Sequence, residues 1–365
     1  MIKDLEFATD SDGLQRAAEF VSAFIDSDTL GLLRYLTLSL SDHWRVEYYA
    51  YRFHDLLMEL SRLKGKLVGL ESLRIQGVFD YNGLCSFNND VGGLIASTFT
   101  HVVSLHLDVN CDKSAPLICL ICCFPQLRAL HLRVSGKRSS ETPDLPALPS
   151  TLASLHLINQ RHPNSRPPKG QGFDSWFSTQ PSRPLKLLSF MDIDPCFEPS
   201  FGGVGRETQT LHFEFDFYYV GDQYRPVPHD LAPLTSLERV IVTCHNVKSV
   251  TRTPNAMTFL LHTLQTVSST HFHTVIFVIL DHGFAPAAHE RWNEIDEFLK
   301  GKELKVEVII PYDDFTESSR EQARKMLPQS DCENQLHILR APSLPVHNGL
   351  VTGVCQSEEV REREL

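Results

Sequence analysis

The stretch Leu127-Arg128-Ala129-Leu130-His131-Leu132 decides the fold, because near-copies of it recur along the chain. In each copy an apolar residue is followed by two variable residues, a second apolar residue, one variable residue and a third apolar residue. The last three positions alternate as a β-strand with one buried face requires. The two closest copies are Val102-Val103-Ser104-Leu105-His106-Leu107 and Leu152-Ala153-Ser154-Leu155-His156-Leu157.

The spacing of the copies predicts a repeat protein. Earlier copies begin at Leu33 and Leu70. The central apolar residues follow one another at intervals of roughly 20 to 40 residues, near or above the period of leucine-rich repeats. One copy buries too little apolar area to stand alone, so neighbouring copies are expected to stack their strands into a parallel sheet. Weaker copies centre on Leu188, Leu211, Val240, Val275 and Val306.

The segments between the copies predict the helical crossovers that parallel strands require. In five segments apolar residues recur at three- and four-residue spacing, the pattern of a helix with one buried face. The predicted fold class is therefore α/β: a leucine-rich-repeat-like solenoid, or horseshoe, with a parallel concave sheet and irregular helical crossovers. The predicted helices are 13–25, 46–63, 116–124, 255–267 and 291–299.

The same pattern predicts the domain organisation. Residues 1–328 are expected to form the solenoid, with about ten irregular repeats. Segments 134–149 and 159–184 are rich in Pro, Ser, Gly and basic residues, and they are predicted as long loops in place of helices. Segment 194–205 is a further loop of this kind. Periodicity then fades, so 329–365 is predicted to be a mostly irregular C-terminal tail.

Composition argues against several classes of partner. The 365-residue chain has 34 Lys plus Arg against 45 Asp plus Glu, a formal charge of −11, and no basic block. Nucleic acid and anionic membranes are therefore not expected as partners. Nine cysteines do not form a disulfide framework in a chain of this length, and the acidic start Met1–Glu6 does not fit a secretory signal. The apolar runs are too short to span a bilayer, so a cytoplasmic or nuclear location is expected.

The variable residue between the last two apolar positions is predicted to point to the concave face. Three consecutive copies place His106, His131 and His156 there. Such an exposed row is suited to binding an acidic partner or a metal, or to titrating near neutrality; alternatively these are plain solvated side chains. The row has no carboxylate or thiol ligand, so no metal site and no cofactor are predicted. The predicted binding residues are Arg74, His106, Asp108, His131, Arg133, His156, His212 and Glu214.

Further along the chain the same face becomes apolar, at Ile241, Ile276 and Val278. This predicts either that a loop or tail covers the face or that the face is a docking patch. The three cysteines of segment 119–123 are interpreted as core residues, because no second ligand pair lies at zinc-finger spacing. The chain contains no nucleophile elbow, metalloprotease helix or phosphate loop. A non-enzymatic protein is therefore predicted.

The stretch Phe124-Pro125-Gln126-Leu127-Arg128-Ala129-Leu130-His131-Leu132, preceded by His101-Val102-Val103-Ser104-Leu105-His106-Leu107, resembles the irregular leucine-rich repeats of fungal F-box proteins. The resemblance covers residues 30–310. It implies that the repeats select a substrate and that an N-terminal F-box docks onto the adaptor of a cullin ubiquitin ligase. The F-box pattern, Leu-Pro followed by paired apolar residues, is not evident in Met1–Leu40.

Three functional hypotheses follow. The first is a protein-binding scaffold that uses its concave face, by resemblance a substrate receptor in ubiquitin-dependent turnover with a cullin-ligase adaptor as a second partner. The second is an F-box-less repeat protein with a structural or inhibitory role. The third is a hydrolase or transferase whose site lies in loops 159–184 and 194–205. An enzyme is expected to hold a carboxylate or histidine of strongly shifted pKa in a closed pocket, and a scaffold is not.

Overall fold

The structure is a computed structural model, and the chain divides into two compact units. The first unit comprises Met1–Met191 and Ser200–Arg206, and the second comprises Asp192–Pro199 and Glu207–Leu365. The described residues contain twelve β-strands and eight α-helices, which confirms the predicted α/β class. The residues that the structure describes are 4–8, 11–26, 31–39, 46–78, 89–110, 114–135, 146–158, 176–177, 179–181, 183–191, 205–216, 229–245, 253–279, 289–310, 315–332 and 335–340.

The first unit contains seven strands, and each pairs in parallel with the next strand in sequence, as stacked repeats require. The strands are β1 (Asp4–Ala8), β2 (Tyr35–Ser39), β3 (Ser72–Val78), β4 (Ser104–Asn110), β5 (Ala129–Ser135), β6 (Ser154–Ile158) and β7 (Leu187–Met191). The helices are α1 (Ser11–Phe24), α2 (Val46–Ser61), α3 (Asn89–Thr98) and α4 (Ser114–Cys122).

The second unit contains five strands with the same parallel pairing in chain order. The strands are β8 (Thr210–Asp216), β9 (Arg239–His245), β10 (Thr274–Ile279), β11 (Lys305–Ile310) and β12 (Leu336–Arg340). The helices are α5 (Thr253–Gln265), α6 (His289–Gly301), α7 (Glu317–Met326) and α8 (Pro328–Cys332). No helix within the described residues of either unit is long and apolar enough to cross a membrane.

The apolar positions of the repeat form the core of the first unit. The second apolar residues of strands β3 to β6 lie opposite one another in register and are all fully buried. The first apolar residues, which precede these strands, are at most 3% exposed. Full burial of one such side chain contributes roughly 1.5–3 kcal/mol, so each of these positions contributes substantially to the stability of the unit. The eight residues are Leu73, Leu105, Leu130, Leu155, Leu70, Val102, Leu127 and Leu152.

One backbone hydrogen-bond pattern recurs where the strands begin. The carbonyl oxygen of Val103, just before β4, accepts from Arg128 N at 2.7 Å and from Ala129 N at 3.0 Å at the start of β5. The carbonyl of Glu238, just before β9, accepts in the same way from the two residues that begin the next repeat. This repeated bond fixes the register, and a slip of one residue would turn the buried leucines to the other face.

A tight turn precedes the first apolar position of several repeats. Val102 N donates to Phe99 O at 3.2 Å, and Leu127 N donates to Phe124 O at 3.2 Å. Both phenylalanines are at most 2% exposed. The repeat therefore has a fourth apolar position, three residues before the first, which was not predicted from the sequence.

The helices cover the apolar face of the strands. In the first unit α1 packs against α2 and α2 against α3, and in the second unit α5 packs against α6 and α6 against α7 and α8. The ring of Phe7 in β1 lies 5.6 Å from that of Phe20 in α1, and Phe277 in β10 lies 5.0 Å from Trp292 in α6. Because Phe7 and Phe277 occupy apolar strand positions, the variable residues lie on the opposite face.

The structure confirms the five predicted helices to within two residues at each end. It adds β1, α3, α7, α8 and β12, which were not predicted. Strand β12 lies in the segment predicted to be mostly irregular, and it pairs with β11.

The predicted long loops are described only in part. Loop 159–184 contains a buried aromatic pair, and the indole Nε1 of Trp176 donates to Pro146 O at 2.9 Å. Gln180 Oε1 accepts from Leu148 N at 2.9 Å. These bonds join the two predicted loops to each other. Most of loop 194–205 lies outside the described residues.

Candidate functional site

The variable residues of β1–β7 form one face of the first unit, called the polar face below. Its side chains lie in parallel rows, because equivalent positions of neighbouring strands are in register. The middle row contains Glu6, Thr37, Arg74, His106, His131, His156 and Ser189. An adjacent row contains Ala8, Ser39, Gln76, Asp108, Arg133, Ile158 and Met191.

His106, His131 and His156 form a stack of three nearly parallel rings, called the histidine stack below. The ring centroids of His106 and His131 lie 3.9 Å apart with an angle of 7° between the planes. Those of His131 and His156 lie 4.0 Å apart with an angle of 6°. The hydroxyl Oγ of Ser104 lies 3.1 Å from Nε2 of His106, within hydrogen-bond distance. The predicted alignment of the three histidines is confirmed.

The environment of the histidine stack keeps its rings neutral. Burial lowers the pKa of His106 to about 4, with a further contribution from the Arg74 guanidinium. Burial, and then the charge of His106, lower the pKa of His156 to about 3. The pKa of His131 lies well below its usual 6.5 because of burial first, then of the two neighbouring histidines and Arg74. The suggestion that this row titrates near neutrality is therefore wrong.

The expected exposure of the histidines is also wrong in part. His156 is 3% exposed, while His106 and His131 are half-buried. His212 lies in β8 of the second unit, where it is fully buried and its Nε2 is 3.0 Å from Thr243 Oγ1. Glu214 lies in the same strand and is partly buried. The polar face of the first unit thus contains six of the eight predicted binding residues.

Beside the histidine stack, three charged residues form a network that we call the charged triad. Asp108 Oδ2 lies 3.4 Å from Arg133 Nη1 and 3.8 Å from Arg74 Nη2. The side chains of Arg74, Asp108 and Arg133 are 43%, 32% and 28% exposed. Ion pairs this accessible contribute at most about 1 kcal/mol each to stability. The triad therefore presents charged groups to solvent at little structural benefit to the chain.

A chain of hydrogen bonds extends the polar face towards β1. Gln76 Nε2 donates to Ser39 Oγ at 2.8 Å, and Ser39 Oγ donates to Glu6 Oε1 at 2.5 Å. These three residues are not among the binding residues predicted from the sequence. Ser39 and Gln76 occupy the register position of Asp108 and could have been found from it, whereas Glu6 depends on recognising β1.

Part of the corresponding face of the second unit is apolar and buried. Ile241, Ile276, Val278 and Ile309 form a cluster in which each side chain is at most 5% exposed, and Leu339 packs against it. Of the two predicted alternatives, the docking patch is therefore wrong for these residues, because they are not accessible to a partner.

The three cysteines at the end of α4 are less buried than predicted. Cys119 is exposed, and Cys122 and Cys123 are half-buried. Burial, and then the two neighbouring thiols, raise the pKa of Cys122 to about 12. Burial and Cys119 also raise the pKa of Cys123. Thiols held in the protonated form are poor nucleophiles and poor metal ligands.

The described residues do not show a metal site or a catalytic base. No group of three His, Cys, Asp or Glu within them is arranged to hold a metal ion. The pair of Ser104 and His106 has the residue types of a nucleophile and its base. However, a general base is most effective when its pKa is near the working pH, and the pKa of His106 is about 4.

Comparisons with protein-family models, with curated proteins and with solved structures found no match to this chain. The polar face is therefore the feature from which a function is inferred.

Proposed function

We propose that this chain is a non-enzymatic protein-binding scaffold of the leucine-rich-repeat type, and that the polar face of the first unit recognises the partner. The observation that carries the proposal is the charged triad beside the histidine stack. On neighbouring strands of one sheet it offers two guanidinium groups and a carboxylate, each between 28% and 43% exposed. The repeat type is supported by parallel strands in chain order and by the recurring backbone bond at the strand entries.

The arrangement suits a protein better than a small molecule. Small-molecule sites are concave, mostly apolar, and have a few polar groups that converge. On the polar face, by contrast, the polar groups are spread along rows that run across the strands. Their spread matches the many separate contacts of a protein interface, in which charged groups meet complementary charges on the partner.

Each part of the face has a distinct role in this proposal. The guanidinium groups of Arg74 and Arg133 bind carboxylates of the partner, for which the planar fork of arginine is suited. Asp108 holds both arginines in place before binding, which reduces the entropy lost when the complex forms. The histidine stack supplies a flat, neutral surface next to these charges. A partner with alternating acidic and neutral side chains fits this pattern.

The resemblance to F-box proteins gives the proposal a more specific form. In that form the partner is a substrate of ubiquitin-dependent turnover, and a cullin-ligase adaptor binds elsewhere on the chain. Variants of the polar face then lose the substrate and keep the adaptor. In the alternative, an F-box-less structural or inhibitory repeat protein, the adaptor is absent from every complex.

Affinity capture with mass spectrometry in cells of the source organism tests the proposal. The polar-face variant is Arg74→Ala/Asp108→Ala/Arg133→Ala, which is expected to fold because the triad adds little stability. The control variant is Glu59→Ala/Arg62→Ala, which removes an exposed ion pair of 2.8 Å on α2. Circular dichroism and the unfolding midpoint confirm that both variants are folded.

The proposal predicts a partner that wild type and control capture and that the polar-face variant loses. If a cullin-ligase adaptor is also captured by all three proteins, the receptor form is supported. If the partner is captured without the adaptor, the scaffold role remains and the link to turnover fails. A partner that the polar-face variant retains at wild-type level contradicts the assignment of the face.

A further inference from the structure

The histidine stack has a geometry that depends on its charge state. Its rings are parallel and their centroids are 3.9 Å and 4.0 Å apart, so protons on two adjacent rings place two positive charges directly against each other. Like charges at such a separation repel, and partial burial increases the repulsion because it reduces screening by water. The stacked arrangement therefore opposes the protonation of adjacent rings.

The charged neighbours of the stack do not offset such a charge. In the row of the stack itself, Arg74 of β3 lies on one side and the uncharged Ser189 of β7 on the other. In the adjacent row, Asp108 of β4 faces Arg133 of β5, and Asp108 pairs with both arginines. Among the described residues of this face around β4–β6, the charged groups thus sum to one positive charge. A proton on the stack adds to this positive charge.

We propose that the histidine stack is an acid-operated switch built into the polar face. Neutral rings hold the side chains of β4, β5 and β6 together and keep the face in its binding form. Protonation separates the rings and opens this part of the sheet, and a partner bound there is released. The inference goes beyond the proposed function, since it rests on ring geometry and applies to whatever partner the face binds.

The direction of the effect follows from proton linkage. The pKa of each stacked ring is lowered in the closed form, whereas a ring in the open form has the ordinary value near 6.5. The open form therefore takes up protons, and acid favours it. For His106 alone the equilibrium constant of opening rises roughly twentyfold between pH 7 and pH 5, as calculated from pKa values of 6.5 open and about 4 closed.

Acid also acts on the second unit, and the test has to separate the two effects. Burial lowers the pKa of His229 to about 4, in a site between Phe213 and Phe259 of the second unit. A fall in overall stability at pH 5 is consequently not specific for the switch. Local opening of β4–β6 is specific, and hydrogen exchange read by mass spectrometry resolves it.

The experiment measures amide protection in the full chain at pH 7 and pH 5, after correction for intrinsic exchange. The variant is His131→Phe, which keeps a ring in the middle of the stack and removes its proton. The control is His101→Asn, an exposed histidine in the turn before β4. In wild type and control we expect protection of β4–β6 to fall by at least twentyfold more than that of β2. In His131→Phe we expect this extra fall to shrink severalfold, because the proton that His131 takes up in the open form is lost.

Two results overturn the proposal: an equal loss of protection across all strands of the first unit, or an unchanged loss in His131→Phe. Nuclear magnetic resonance of the histidine rings in the wild-type chain gives a second test that needs no variant. We expect the three stacked rings to remain neutral at pH 6 and to take up protons together below pH 5. Independent titration of any of them near pH 6.5 contradicts the switch, whichever partner the face binds.

Discussion

A substitution at Gly69 tests whether neighbouring repeats stack as closely as the structure shows. Gly69 lies in the turn before β3, next to Gly31 in the turn before β2. A Cβ atom added to Gly69 would lie 1.9 Å from the carbonyl oxygen of Gly31 and 2.7 Å from its carbonyl carbon. Both atoms belong to the backbone, so no change of rotamer relieves the overlap.

The cost of Gly69→Ala follows from this overlap. An ordinary carbon–oxygen contact is more than 3 Å, so the two turns would have to separate by over 1 Å. That movement would also strain the bond of 3.0 Å from Arg34 Nη1 to Gly69 O. Overpacking typically costs 1–3 kcal/mol, and an overlap between backbone atoms belongs at the upper end of that range. We expect a loss of about 3 kcal/mol or more in the free energy of unfolding.

The same substitution in helix α3 provides the control. Gly93 is exposed, and a Cβ atom added there would meet nothing within 4 Å. Alanine is favoured over glycine in a helix interior by roughly 0.5–1 kcal/mol. Gly93→Ala is therefore expected to stabilise the chain slightly, so the two glycines should respond with opposite signs.

Urea unfolding followed by circular dichroism measures both variants against wild type. The transition of the first unit is fitted separately if the two units unfold at different urea concentrations, because a single two-state fit would then be invalid. A Gly69→Ala protein within 0.5 kcal/mol of wild type would refute the close stacking of these two repeats. So would equal damage by the two substitutions.

Three further substitutions are predicted, each measured by urea unfolding. Leu130→Ala truncates a fully buried residue of the repeat and should cost roughly 2–5 kcal/mol; a loss below 1 kcal/mol would contradict its core position. Asp296→Ala removes a fully buried carboxylate that accepts three hydrogen bonds at the start of α8, and it should lower the free energy of unfolding by roughly 3 kcal/mol. A free energy of unfolding close to that of wild type would mean that other groups satisfy those donors. Asp108→Ala should change stability by less than about 1 kcal/mol, and a larger loss would make the charged triad structural.

The core and the register could be predicted from the sequence because they depend on a simple periodicity. Leu105, Leu130 and Leu155 repeat within a six-residue pattern, and burial of one strand face imposes that pattern wherever a strand occurs. Helix α3 was missed because Gly92 and Gly93 interrupt its apolar spacing and lower its helix propensity.

The first and last strands, β1 and β12, were missed for two separate reasons. Strand β1 follows the repeat pattern, as Ile2-Lys3-Asp4-Leu5-Glu6-Phe7, but it was not recognised as a copy. Strand β12 does not follow the full pattern, because the residue three positions before Leu336 is Glu333, which is not apolar. An edge strand also has one neighbour instead of two, so fewer contacts constrain its residues. The repeat pattern is therefore complete at β1 and incomplete at β12.

The candidate site could be predicted in position but not in chemistry. The register alone aligns His106, His131 and His156, because equivalent positions of stacked repeats fall in one row. The stacking of the rings depends on side-chain rotamers, and their low pKa values depend on burial, neither of which a repeat pattern specifies. The pairing of Asp108 with both arginines likewise joins side chains from three strands, and the repeat pattern does not specify which side chains pair.

Site-specific photocrosslinking is the most direct test of whether the polar face binds a protein. A benzophenone amino acid is placed at Thr37 or Ala129, which lie on the polar face outside the charged triad, and at the exposed Lys64 as a control. We expect that illumination in cells of the source organism joins one partner protein to the two face positions and not to Lys64. Adducts of equal yield from Lys64, or none from the polar face, would contradict it.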